Sequence, residues 1–219
     1  DLDVNIQEII QVVNSNKKCI ILVPCSHNRD ILIAKGLKQN RIRLVLGAAD
    51  PLLFSRISNR KHITIGFCTA YYERKRPDRI FGLIEMFPQY KFILLGKGWR
   101  ESPYWEQINK SKNLEYVEAA YEQYPEYYEK MDVFVSTSDL EGGPIPLIEA
   151  MMSNVIPVAC DTGFARDLIQ HSVNGYIFTK EAELEEIGSL IEIAFLNDSN
   201  IRSTVEKYTW KYFSEQVMS

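Results

Sequence analysis

The sequence predicts a doubly wound α/β protein: a parallel sheet with helices on both faces. Three observations carry that expectation. Short apolar runs recur along the whole chain, as in CIILV (19–23), KFILLG (91–96) and VIPVA (155–159). The runs are near-continuous rather than alternating, which is the pattern of strands buried on both faces. Amphipathic stretches separate each run from the next, so strands connect through helices and not through hairpin turns.

CIILV reads as the first strand and is followed by a helical pattern around ILIAKGL (31–37). IRLVL (42–46) is the second. Six more follow at HITIGFC (62–68), KFILLG (91–96), LEYVEA (114–119), DVFVS (132–136), VIPVA (155–159) and GYIF (175–178). Helical patterns lie between them at PDRIFGLIEMF, YWEQINK, YPEYYEKM, PLIEAMM, ARDLIQ and ELEEIGSLIEIAF. Residues 48–60, AADPLLFSRISNR, contain Pro, Asp and Asn with weak periodicity and read as a linker. Only two strands precede it, too few for an independent α/β domain. Residues 1–47 are therefore expected to end a preceding domain, with 61–200 forming a complete one and 201–219 a closing helix. The alternative is that the first two strands extend one continuous sheet.

The bulk numbers exclude several classes. A hydrophobic content of 46% with 25% charged residues is that of an ordinary globular protein. A net charge of −4 argues against a nucleic-acid binder, which is normally basic. No apolar run approaches the roughly 18–20 residues of a membrane span, and no signal peptide is visible. The chain opens DLDV, without methionine, so its start is expected upstream. Cys19, Cys25, Cys68 and Cys160 form no CxxC pair and read as small apolar residues of a reducing, cytoplasmic compartment. His27, His62 and His171 are too scattered to suggest a metal cage.

One stretch breaks the regularity. In DLEGGPIPLIEA (139–150) two glycines and two prolines lie between Glu141 and Glu149, directly after the strand DVFVS. Ligands of doubly wound sheets sit where strands end and helices begin. Pro144 and Pro146 suit a first helical turn. Gly142 and Gly143 remove side chains, so that a ligand can approach the backbone. The helix start favours an anion such as phosphate, and the two carboxylates can accept hydrogen bonds from hydroxyls. The plain alternative is a glycine-softened turn with two solvated glutamates.

At this point the sequence resembles a known family. STSDLEGGPIPLIEAMMSNVIPVACDTGFARDLI (136–169) is similar to the E-x(7)-E region of group 1 (family 4) retaining glycosyltransferases, which have the GT-B fold. Glu141 and Glu149 fall on its two glutamates. GFCTAYYERKRPDRI looks like the first loop of that family's donor domain, ILLGKGW (93–99) like its strand ending in G-x-G, and VNGYIF (173–178) like its N-G-apolar strand. YTWKYFSEQV resembles the terminal helix that crosses back to the first domain, and CSHNRDILIAKGLKQNRIRLVLGAADPLLF the end of that first domain. The likeness covers roughly residues 19–219.

The resemblance implies sugar transfer from a UDP- or GDP-sugar to an acceptor hydroxyl with retained configuration, without metal or other cofactor. It implies Glu141 as the catalytic-site carboxylate on a donor-sugar hydroxyl and Glu149 on the ribose. Lys75 would hold phosphate; Gly142, Gly143, Pro144 and Ile145 would present backbone; Gly96 belongs to the G-x-G turn, and Tyr121 or the nearby Val117–Glu118 segment would bound the base. Tyr127 and Tyr128 read as packing residues. A glycan or lipid-linked acceptor would be met by the missing first domain, with membrane contact peripheral at most. Such a donor half alone is expected to be inactive. The runner-up readings are a non-catalytic sugar-nucleotide-binding scaffold and a nucleotide-sugar epimerase. Three positions depart from the pattern. Thr69 and Ala70 stand where the family has Gly-Arg, so that Arg74 or Arg76 would have to supply the missing charge. Asn154 stands for glycine, which a left-handed turn tolerates, and Asp167 for glutamate.

Overall fold

The computed structural model describes residues 5–55, 57–58 and 63–219. Eight strands form two parallel sheets. β1 (Ile21–Val23) pairs with β2 (Ile42–Leu44). The other six are β3 (Thr64–Cys68), β4 (Lys91–Leu95), β5 (Leu114–Val117), β6 (Val133–Ser136), β7 (Ile156–Cys160) and β8 (Tyr176–Phe178). Their spatial order is β5-β4-β3-β6-β7-β8. All eight expected strands are present, mostly shortened at their ends. His62, placed at the start of the third strand, lies outside the described residues.

The larger sheet has helices between its strands, α3 (Pro77–Met86), α4 (Trp105–Lys110), α5 (Tyr124–Tyr128), α6 (Ile145–Met152) and α7 (Ala165–Leu168), and α8 (Leu184–Ala194) after the last of them. Every residue of β3 and β7 is buried, as the continuous apolar runs require. Asn154 follows α6 with φ +61, the left-handed turn expected of it. Its Oδ1 accepts the N–H groups of Ile201 (2.8 Å) and Arg202 (3.3 Å).

The smaller sheet carries α1 (Ile6–Ser15) and α2 (Ser26–Ala34). α1 is absent from the sequence reading. Its apolar residues line one face: Ile10 and Val13 at the centre of that face are buried, while Ile6, Ile9 and Val12 are exposed. α2 begins five residues before the pattern placed it and stops ahead of Gly36, at φ +100.

The stretch read as a linker is firmly anchored in its described part. Ala48, Ala49 and Phe54 are fully buried. The Ala49 N–H donates to the Tyr208 carbonyl (3.0 Å), and the Arg202 guanidinium donates to the carbonyls of Phe54, Met152 and Pro51. Residues 56, 59 and 60 of that stretch lie outside the described residues. At the other end, α9 (Trp210–Met218) reaches the smaller sheet, where Arg43 donates to the Gln216 carbonyl at 2.9 Å.

Chain direction reverses between β3 and β6. From β3 the chain moves outward through β4 and β5, then returns to β6 on the other side of β3 and continues through β7 and β8. Such a switch point opens a crevice at the carboxyl ends of the strands. Here the crevice lies between the loop after β3 and the turn after β6.

Candidate functional site at the switch point

The two loops are stitched together across the crevice. The Asp139 N–H donates to the Arg74 carbonyl (2.9 Å), and the Thr137 hydroxyl donates to the Lys75 carbonyl (2.7 Å). Residues Glu73–Lys75 form a single 3-10 turn closed by Arg76 at φ +54, after which Pro77 opens α3. This places Lys75 and Arg74 against the turn after β6. The Lys75 ammonium pairs with Glu141 Oε1, and Arg74 Nη1 lies 3.5 Å from Glu141 Oε2 while donating to the Leu140 carbonyl at 2.8 Å. Arg76 is directed elsewhere. Its guanidinium binds Asp78 and Asp139, whose charges hold it more firmly protonated. Of the two arginines expected to replace the one absent at Ala70, only Arg74 reaches the crevice.

Glu149 lies in the second turn of α6 and is 2% exposed. Tyr121 donates to its Oε1 (2.7 Å) and Tyr128 to its Oε2 (3.0 Å). Burial pushes the Glu149 pKa up, and the two hydroxyls oppose that shift only in part. Phe54 braces both tyrosines edge-on, with centroids at 6.0 and 5.7 Å. Cys68, at the end of β3, lies between this network and Lys75; burial lifts its thiol to about 12.

The glycines differ from what the sequence suggested. A Cβ at Gly143 would stand 2.6 Å from the Phe164 ring and 3.5 Å from Pro24, so the missing side chain makes room for that ring and not for a ligand on that face. Gly142 is exposed, with only Pro24 within 4 Å. Gly96, at φ +146, lies under the Thr69 carbonyl, which would be 2.2 Å from a Cβ and which accepts the Trp99 indole N–H at 2.8 Å. Its bareness allows two loops to cross, although it also borders the crevice. The helix start holds fewer donors than a typical one. Pro144 and Pro146 have no N–H, and the Leu147 N–H is spent on the Pro144 carbonyl (2.9 Å). The main-chain donors left to the turn are those of Gly142, Gly143 and Ile145.

The crevice widens into two spaces. One, of about 250 Å³, is bordered by Ala70, Arg74, Lys75, Gly96 and Pro146. The other, of about 300 Å³, is bordered by Lys97, Glu118, Gln123 and Tyr124. The smaller sheet closes the far side of the turn. Gly47 packs on Ile145 and Phe164, and Asp167 accepts the Ser26 N–H at the start of α2 (2.9 Å). His27 is exposed on α2. Among the described residues, no group of three or more His, Cys, Asp and Glu is arranged to hold a metal ion, and no helix is long and apolar enough to cross a membrane.

Two participants escaped the sequence reading. Tyr128 is fully buried, as a packing residue should be, yet its hydroxyl binds Glu149. The spacing of Tyr121, Tyr124 and Tyr128 contained the signal, because i, i+3 and i+7 share one helical face. Lys97, between the two glycines of the G-x-G turn, borders both spaces.

A parallel sheet with its switch-point crevice bordered by loops from β3, β4 and β6 is the architecture of a GT-B glycosyltransferase domain. Residues 52–211 match the family model for glycosyl transferases group 1, and the chain belongs to that family. It is 26% identical over 185 residues to the O-antigen biosynthesis glycosyltransferase WbnH of Escherichia coli, covering 84% of this chain and 52% of that protein. The chain thus spans about half the length of the curated relatives it matches. Sucrose-phosphate synthase of Thermosynechococcus elongatus superposes with a TM-score of 0.79 at 15% identity, covering 97% of this chain and 59% of that one. HepE of Anabaena, in complex with UDP-glucose, gives 0.75 at 17% identity, covering 97% and 66%.

Proposed function

We propose that the chain is the nucleotide-sugar-binding part of a retaining glycosyltransferase. It would take a UDP- or GDP-sugar and deliver the sugar to a hydroxyl of a glycan or lipid-linked acceptor in surface-glycan synthesis. The observation that carries this reading is the Lys75–Glu141 ion pair across the switch point, with the buried Glu149 on the helix behind it. The nucleotide-sugar ligand of HepE and the O-antigen role of WbnH support the substrate class.

The difficult event in such a transfer is departure of a nucleoside diphosphate, so charge aimed at the diphosphate dominates the rate. Lys75 would exchange Glu141 for the β-phosphate, with Arg74 beside it in place of the arginine missing at Ala70. The N–H groups of Gly142, Gly143 and Ile145 would add main-chain donors, whereas Pro144 contributes only shape. Glu141, released from Lys75, would accept a hydroxyl of the donor sugar, and Glu149 would accept the ribose hydroxyls. Gly96 and Tyr121 would border the nucleoside. No metal is needed for this division of labour. Calorimetry of the chain with UDP and GDP tests the reading; no heat of binding with either would refute it.

A second reading is a donor-binding scaffold without turnover. The alanine at position 70 and the Tyr121 hydroxyl already seated on Glu149 favour it. Nucleotide binding without transfer, measured on a polypeptide that includes an acceptor domain, would select it.

A further inference from the structure

We propose that Tyr121 is a displaceable cap on Glu149, and that an incoming ribose takes over its hydrogen bond. This inference rests on the donor-binding reading above and adds a residue that sets nucleotide affinity. The two tyrosines on Glu149 are not equivalent. Tyr128 is fully buried in α5 and contacts Phe134 and Phe54, so its bond to Oε2 is part of the core. Tyr121 is 43% exposed and stands in a 3-10 turn at the end of the loop after β5. Its ring touches Phe54 and Tyr124 at 6.0 and 5.5 Å, and its hydroxyl donates to Oε1 at 2.7 Å.

A carboxylate that is 2% exposed cannot be left without hydrogen bonds, because desolvating it unpaired is costly. In the absence of nucleotide, Tyr121 supplies the partner of Oε1. A ribose diol offers the same kind of donor, a hydroxyl, at the same oxygen. Hydroxyl-for-hydroxyl exchange leaves Glu149 satisfied in both states, and the released Tyr121 ring is free to border the nucleoside beside Tyr124. The cap therefore competes with the ligand: it holds the empty site together and lowers affinity by the strength of the bond that must be broken.

The test is Tyr121→Phe in the 219-residue chain, read by thermal unfolding and by calorimetry with UDP and GDP. The cap predicts opposite signs. The melting temperature of the free protein falls, because Oε1 loses its donor. Affinity for the diphosphate that binds rises by about fivefold, because ribose no longer displaces a bond. The gain shrinks with the 2′-deoxy nucleotide, which brings one hydroxyl fewer. Nucleotide binding that is unchanged or weakened in the variant would overturn the cap while leaving the donor reading intact. Absence of binding by the unaltered chain would overturn both.

Discussion

The two glutamates that bracket the GGPIP turn have one side chain and two opposite surroundings. Glu141 lies in the loop and is matched by charge: a lysine on one oxygen and an arginine near the other. Glu149 lies eight positions on, inside a helix, and is matched only by neutral hydroxyls. The lysine paired with Glu141 can exchange that carboxylate for a phosphate, one anion taking the place of another on the same cation. A carboxylate held by tyrosines in the core is fixed in place and can exchange only hydroxyls. The turn thus offers an exchangeable charge at one end and a rigid hydroxyl acceptor at the other, which are the two things a nucleotide sugar presents. The same contrast orders the experiments that would break it.

The largest effect is expected from Glu149→Ala. It leaves the buried Tyr128 hydroxyl only the Pro146 carbonyl at 3.4 Å as acceptor and opens a cavity against α5, so stability should fall by about 2–4 kcal/mol. Glu141→Ala, in the loop with its side chain 9% exposed, should cost less, about 1–2 kcal/mol. Denaturant titration of both variants checks this; equal losses would erase the distinction between core and rim.

Next is Lys75→Ala. Removing the cation nearest the turn should weaken UDP or GDP by about tenfold to a hundredfold, the range for truncating a charged hydrogen-bond partner. Binding of the uncharged nucleoside should hardly change. Calorimetry with nucleoside and diphosphate side by side separates the two, and a uniform loss would show that Lys75 supports the loop instead of the phosphate.

Gly143→Ala probes the middle of the turn. An added Cβ meets the Phe164 ring at 2.6 Å, an overpacking expected to cost about 1–2 kcal/mol. The cost should shrink when Phe164→Leu is combined with it, which a double-mutant cycle in thermal unfolding would register. An additive result would mean that the ring is not what limits the position.

Much of this arrangement was legible in the amino-acid order. Eight apolar runs gave eight strands because burial on both faces imposes a signal too strong to miss. The glutamate spacing and the basic loop located the crevice. What escaped was set by tertiary contact. α1 is the exception, since Ile6, Ile9, Ile10 and Val13 repeat at helical spacing and the reading passed over them. Gly143 and Gly96 announced bare backbone truthfully, but the sequence could not say that Phe164 and Thr69 come to fill the space. The buried Phe54 sits in a stretch whose proline and polar residues suggested a loose connection, yet its neighbours are Tyr121 and Tyr128, some seventy positions away. Asp167 looked like a minor variation and turned out to bind the smaller sheet through Ser26.

The smallest expected effect is a slope, and it tests the Glu149 end alone. Burial raises the folded-state pKa of Glu149 above its ordinary 4.5. Between 4.5 and that elevated value the folded protein holds a proton that the unfolded chain has released. Stability must therefore decline with rising pH over that interval, because the unfolded state binds fewer protons there. The contribution is fully present below pH 4.5 and lost as pH passes the folded-state pKa. Glu149→Gln has nearly the same shape and no titration. The stability of the natural protein relative to this variant should thus fall from pH 4.5 upward and level off once Glu149 is ionised in both states. Unfolding curves from pH 4 to 8 give the comparison directly, and a flat difference for Glu149→Gln would mean that the tyrosine hydroxyls fully offset the cost of burying the charge.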